Sequence, residues 1–172
     1  LETPAGLNQM PTIRWIDDHL LTDPVQESRI LLYYTGITRV ARNLLGDIVK
    51  GMFLNSHQRL DILGKISRHA RHTQDVLQEG NFEGLAQAID RSWRLNQALD
   101  AGTNPPEVQA ILEPIGDWIA GCKLLGAGGG GYLLMLARDE ASAARIKQHL
   151  EANPPNDRAR FVNMRVSREG LQ

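Results

Sequence analysis

The stretch KLLGAGGGGYLLML, residues 123–136, places five glycines within the six positions from Gly126 to Gly131. Each glycine costs about 0.5–1 kcal/mol relative to alanine, because its backbone loses more conformational freedom on folding. Such a cluster indicates a backbone that comes very close to another group, either an anion bound by bare amides or a neighbouring loop. A plain turn that happens to use glycine is the alternative. Lys123 would add a positive charge near this surface.

The same letters satisfy the dinucleotide-binding pattern Gly-x-Gly-x-x-Gly, but their predicted surroundings do not. That site needs a strand before the glycines and a helix after them. Here apolar residues at helical spacing precede the glycines as far as Ile119, and a continuous apolar run follows them. The sequence therefore predicts a helix-to-strand connection. The Gly-Lys-Ser/Thr ending of the other common phosphate loop is also missing, since this stretch ends Gly-Tyr.

Apolar spacing over the rest of the chain predicts separated strands and a run of consecutive helices. Strands are expected at residues 12–16, 29–36, 131–137 and 160–166, and helices at residues 38–54, 56–78, 82–100, 104–119 and 140–152. Strands so far apart in sequence favour antiparallel pairing. We therefore predict an α+β fold, a mostly antiparallel sheet of about four strands covered on one face by helices.

Composition narrows the classes of function. The chain has 172 residues, a net charge of −1 and 42% apolar residues, which is typical of one ordinary globular domain. This balance predicts neither a nucleic-acid partner nor a membrane partner. The single cysteine, Cys122, cannot form an internal disulfide, which favours a reducing, cytoplasmic setting. Because the chain starts at Leu1 rather than methionine, we expect it to be a piece of a longer protein.

Three stretches carry a resemblance to a known family. KLLGAGGGGYLLML resembles the third signature motif of the GHMP kinases, the superfamily of galactokinase, homoserine kinase, mevalonate kinase and phosphomevalonate kinase. LLYYTGITRVARNLL, residues 31–45, and SWRLNQALDAGTNPPEVQAIL, residues 92–112, resemble the sugar-1-kinase branch, which includes L-fucokinases and heptose-7-phosphate kinases. The ends of the chain look most like the kinase portion of bacterial bifunctional fucokinases.

The resemblance implies that residues 1–172 are a single GHMP-kinase C-terminal domain with a ferredoxin-like fold. In this family ATP and Mg²⁺ are bound mainly by an N-terminal domain, whose phosphate loop reads roughly Pro-x-x-x-Gly-Leu-Gly-Ser-Ser. Nothing in the 172 residues matches that loop. The resemblance thus implies a sugar substrate and an N-terminal kinase domain as partners, and an isolated chain without activity. A heptose-7-phosphate 1-kinase, a stand-alone ligand-binding or regulatory module, and a homodimer of the half-enzyme stay open as alternatives.

The resemblance also places residues at the cleft between the two domains. The stretch matching the third motif would face the phosphate loop and the sugar, through Gly126, Ala127, Gly128, Gly129, Gly130 and Gly131, with Lys123 close by. Thr35, Gly36 and Arg39 match the Tyr-Thr-Gly-x-x-Arg stretch that faces the same cleft. Arg39 would pair with a phosphate or lie on the surface. No catalytic residue is identified.

Other constellations favour structural roles. His69 and His72 lie three residues apart on one predicted helix, but without the further ligands that zinc needs we interpret them as part of a solvated basic face. The pair Asp17 and Asp18 favours a turn over a Mg²⁺ site. Cys122 is predicted to be a small buried residue. The sequence predicts no metal site.

Overall fold

A four-stranded antiparallel sheet forms the centre of the fold in the computed structural model, which describes residues 15–38, 46, 49, 57–126, 129–167 and 169. The strands are β1 (Ile30–Tyr34), β2 (Ile119–Leu124), β3 (Tyr132–Ala137) and β4 (Arg160–Val162). Their order is β2-β3-β1-β4, and every neighbouring pair is antiparallel. Helices join β1 to β2 and β3 to β4, which gives the ferredoxin-like connection. The predicted α+β class and antiparallel sheet are confirmed.

Six α-helices accompany the sheet in the described part of the chain. They are α1 (His19–Thr22), α2 (Pro24–Arg29), α3 (His57–Gln78), α4 (Phe82–Leu99), α5 (Pro106–Leu112) and α6 (Glu140–Ala152). Local chemistry starts several of them: Asp23, Asn81 and Asp139 each accept backbone N–H bonds at a helix N-terminus. None of the described helices has the length and apolar character needed to cross a bilayer.

Apolar side chains pack on both faces of the sheet, which corrects the expected one-sided arrangement. Alternate strand residues point to opposite faces. One core joins Tyr33, Met135 and Leu124 to α5 and α6, and the other joins Leu136 to α1, α3 and α4. The one-sided prediction was wrong because the strands carry apolar residues at both parities, as in strands buried on two sides.

The segment before the glycines differs most from its prediction. The helix expected at residues 104–119 ends at Leu112, continues as a 3₁₀ turn (Glu113–Trp118), and is followed by β2. Pro114 lacks an amide proton and so cannot continue the helical hydrogen-bond ladder. The glycines therefore connect two strands and not a helix and a strand. A dinucleotide loop is still excluded, because β3 follows where that site needs a helix.

The remaining differences from the predicted elements are smaller. The short helices α1 and α2 were not predicted, and β4 stops at Val162, four residues before its predicted end. Residues 12–14 of the first predicted strand lie outside the described residues, while Trp15 and Ile16 have no regular structure. The helix predicted at residues 38–54 lies almost entirely outside the described residues.

Candidate functional site

The glycine loop, whose described residues are Gly126 and Gly129 to Gly131, follows β2 and precedes β3. Its described glycines all have positive φ: 76° at Gly126, 80° at Gly129, 147° at Gly130 and 89° at Gly131. Residues other than glycine rarely adopt these φ angles, so the backbone conformation itself favours glycine at these positions. The hairpin below the loop is closed by the amide of Leu125, which donates to the carbonyl oxygen of Tyr132 at 2.8 Å.

The end of β1 binds the glycine loop through Thr35, which is fully buried. Its backbone amide and its hydroxyl both donate to the carbonyl oxygen of Gly131, at 2.8 Å and 2.9 Å. In return, the amide of Gly131 donates to the carbonyl oxygen of Ile37 at 2.9 Å. The structure therefore brings together two stretches, residues 35–37 and 129–131, that lie almost a hundred positions apart in sequence.

Close backbone approach, the property expected of this stretch, occurs at Gly130. A Cβ built there would lie 2.9 Å from the carbonyl carbon of Ile37, with the carbonyl oxygen closer still. Real Cβ contacts are almost never that short, so this position admits only glycine. Part of the glycine content is thus explained by the neighbouring loop.

Lys123, in β2, contacts α4. Its ammonium Nζ donates to the hydroxyl oxygen of Ser92 on α4 at 2.6 Å. Burial lowers the pKa of this half-buried lysine, because desolvation disfavours the charged form. The hydrogen bond from Lys123 therefore links β2 to α4.

The described residues fit an anion better than a metal ion. The amides of Gly129 and Gly130 donate no backbone hydrogen bond to another described residue. Carboxylates and histidines do not gather in the same way: the described ranges hold no group of three or more His, Cys, Asp or Glu side chains that could bind a metal. This donor set fits part of a phosphate site and does not fit a Mg²⁺ site.

The remaining predicted residues divide into three groups. Arg39, Ala127 and Gly128 lie outside the described residues. Gly36 has a φ of 70° and lies against the side chain of Asn156. Cys122 is buried as predicted, and burial, reinforced by the carboxylate of Asp90, raises the pKa of its thiol to about 12.

Two expectations outside the site also have outcomes. His69 is buried, with Nε2 at 2.8 Å from the carbonyl oxygen of Ala88, so the expected solvated face was wrong for this residue. Its helix packs against α4, which covers that position. Asp17 accepts the amide of His19 at 2.9 Å, a turn contact that agrees with the structural interpretation of the acidic pair.

One residue that contacts Thr35 was missed by sequence reasoning. Asn156, in the connection between α6 and β4, donates from Nδ2 to the carbonyl oxygen of Thr35 at 2.8 Å. The sequence NPPNDRA around it predicts a turn, and asparagine is common in turns for local reasons. Nothing local signals a partner 121 positions away.

The chain is similar to a known protein family and to several known proteins. The family described as GHMP kinases C terminal matches residues 73–156. Over all 172 residues the chain is 48% identical to an L-fucokinase/L-fucose-1-P guanylyltransferase of Bacteroides fragilis, and over 131 residues it is 28% identical to a bifunctional fucokinase/GDP-fucose pyrophosphorylase of Arabidopsis thaliana. The chain spans only 18% and 12% of the lengths of these two relatives.

Solved structures show the same fold at low sequence identity. The mevalonate kinase of L. major, solved in complex with R-mevalonate, is 21% identical with a TM-score of 0.65, over 77% of this chain and 40% of that one. The Lin0012 protein of Listeria innocua is 14% identical with a TM-score of 0.70, over 81% of this chain and 39% of that one. In both cases the match covers less than half of the solved chain.

Proposed function

We propose that this chain is the C-terminal domain of an ATP-dependent sugar 1-kinase, because residues 73–156 match the family described as GHMP kinases C terminal. The intact enzyme transfers the γ-phosphoryl group of ATP to the anomeric hydroxyl of L-fucose. The observation that carries the choice of sugar is the 48% identity over the whole chain to a protein named as an L-fucokinase.

The chain's own residues contribute positioning to this reaction. Phosphoryl transfer depends on alignment and on stabilising charge on the transferred oxygens, with little covalent chemistry left to the protein. The glycine loop offers the amides of Gly129 and Gly130, next to Gly131, whose carbonyl oxygen accepts two hydrogen bonds from Thr35. ATP, bound mainly by the N-terminal domain together with Mg²⁺, supplies the phosphoryl group. The acidic group that accepts the sugar's proton is assigned to that same domain.

The direct test gives the intact protein ATP with L-fucose, or ATP with a heptose 7-phosphate, and follows ADP release. We expect turnover with L-fucose. The heptose phosphate is the alternative acceptor, because the chain is also 28% identical over 128 residues to a D-glycero-alpha-D-manno-heptose 7-phosphate kinase of Campylobacter jejuni. Turnover with the heptose phosphate alone would replace the sugar assignment, and turnover with neither would refute both.

A second test separates half an enzyme from a stand-alone binding module. Titration calorimetry of the 172-residue chain with ATP is expected to show weak binding or none, since the phosphate loop belongs to the N-terminal domain. Tight ATP binding by this chain alone would contradict the assignment.

We also place the enzyme in the cytoplasm, where ATP is available, and pair this domain with the N-terminal kinase domain in preference to a second copy of itself.

A further inference from the structure

One side chain in the connection between α6 and β4, that of Asn156, binds the segment that contacts the glycine loop. Asn156 donates from Nδ2 to the carbonyl oxygen of Thr35 at 2.8 Å, and its Oδ1 accepts the amide of Arg158 at 3.0 Å. The bond to Thr35 joins the connection to β1, whereas the bond from Arg158 lies within the connection. Asn156 therefore links a surface turn to the end of β1.

The carboxamide of Asn156 satisfies both neighbours of this side chain. The carbonyl oxygen of Thr35 needs a donor, and the amide of Arg158 needs an acceptor. An aspartate keeps the acceptor but turns a second carboxylate oxygen toward the Thr35 carbonyl, which replaces attraction by repulsion. The hydrogen-bonding chemistry of the side chain at position 156 is therefore restricted.

Gly36 shows that the contact is also shaped by packing. A Cβ built on Gly36 would lie 2.7 Å from Cγ of Asn156, with Oδ1 closer still. The φ of 70° at Gly36 independently favours glycine. The Tyr-Thr-Gly stretch and the asparagine therefore fit each other as a pair.

The contact continues from Thr35 to the glycine loop. The same threonine whose carbonyl binds Asn156 donates twice to the carbonyl oxygen of Gly131. Its hydroxyl also accepts the amide of Ile37 at 3.2 Å, and the carbonyl of Ile37 accepts the amide of Gly131. Every link between Asn156 and the glycine loop is a hydrogen bond between buried or half-buried groups.

We propose that Asn156 is a positioning residue for phosphoryl transfer: it holds Thr35, and through Thr35 it sets the position of the glycine loop. This inference rests on the proposed kinase function. Asn156 acts through Thr35, so its contribution is alignment of the loop in the transition state. A displacement of about 1 Å in such a group can lower a rate about 100-fold.

The test compares three variants of the intact protein. In Asn156→Ala, kcat for sugar phosphorylation is expected to fall about 10- to 100-fold, while KM for ATP stays near the wild-type value because ATP is bound mainly elsewhere. Asn156→Asp, which is nearly isosteric, is expected to lose at least as much. Asn153→Ala is the matched control: its side chain lies in the same connection but donates to His149 of its own helix at 3.1 Å, so kcat should not change.

Hydrogen exchange gives a readout that does not depend on activity. Peptides covering residues 31–37 and 124–133 are expected to exchange faster in the Asn156→Ala and Asn156→Asp variants than in wild type, and at the wild-type rate in Asn153→Ala. Faster exchange with unchanged kcat would reduce Asn156 to a structural residue and overturn the proposal, as would unchanged exchange in both Asn156 variants. A wild-type protein that phosphorylates no sugar would refute the proposed function instead, and exchange would still decide whether Asn156 holds the loop.

Discussion

Gly121 determines how closely α4 approaches the sheet. A Cβ built at this position in β2 would lie 2.6 Å from the carbonyl carbon of Ala86 and 3.0 Å from its Cα, with the carbonyl oxygen closer still. Ordinary contact begins at 3.4 Å, so Gly121→Ala requires β2 and α4 to separate by at least about 0.8 Å. The obstructing atoms are backbone atoms of a helix, which cannot rotate away as a side chain can.

The energetic consequence follows from what α4 packs. Phe82, Leu85 and Ala86 are buried against the sheet, and the bond between Lys123 and Ser92 crosses the same interface. Overpacking usually costs about 1–3 kcal/mol. We expect a loss of about 2–3 kcal/mol in the free energy of unfolding, near the top of this range because the clash is with backbone. In a domain of this size, that lowers the melting temperature by roughly 4–12 °C.

The assay is urea denaturation followed by tryptophan fluorescence, since Trp93 is buried on the same helix. Gly116→Ala is the matched control: a Cβ there meets nothing within 4 Å, and the residue is exposed. We expect the control to stay within about 0.5 kcal/mol of wild type. Equal stabilities for the Gly121 and Gly116 variants would refute the reasoning that backbone contact at Gly121 sets the position of α4.

The other predictions concern the loop, a buried arginine and the thiol. Gly130→Ala should lower kcat of the intact enzyme more than Gly131→Ala, because both have positive φ but only Gly130 also meets Ile37; equal effects would show that strain alone matters. Arg29→Met should cost at least about 2 kcal/mol in urea unfolding, because its guanidinium binds two carbonyl oxygens at the end of β3 and lies 3.9 Å from an aromatic ring centroid. Burial raises the pKa of Cys122 from 9.0 to about 12, so the folded state favours the neutral thiol; its stabilising contribution is complete below pH 9 and falls as pH rises toward 12. Iodoacetamide at pH 8 should accordingly modify Cys122 slowly until urea unfolds the chain, and rapid labelling of the folded protein would contradict this.

Elements with strong local signals were predicted almost residue by residue. The helix expected at residues 140–152 is α6, and the one expected at 82–100 differs from α4 by one residue. In both cases a side chain immediately before the helix accepts an amide of the first turn, and this signal is contained in a few neighbouring residues. The strand after the glycines was predicted from another local signal, its continuous apolar run.

β2 shows what local signals cannot determine. The six residues IAGCKL include a glycine and a lysine and follow a helical pattern without a clear break. They form a strand because β3 supplies the pairing edge and α4 packs directly on Gly121. Strand propensity depends on such neighbours more than on the segment itself.

By itself, the sequence predicted the α+β class and the positions where the backbone must be glycine, because residue spacing and apolar period are properties of contiguous residues. Only the tertiary structure decided that Lys123 binds Ser92, that Thr35 holds Gly131, and that Asn156 holds Thr35. Those contacts join positions 31, 96 and 121 residues apart. Such partners are chosen by how the strands and helices pack, and no local pattern encodes them.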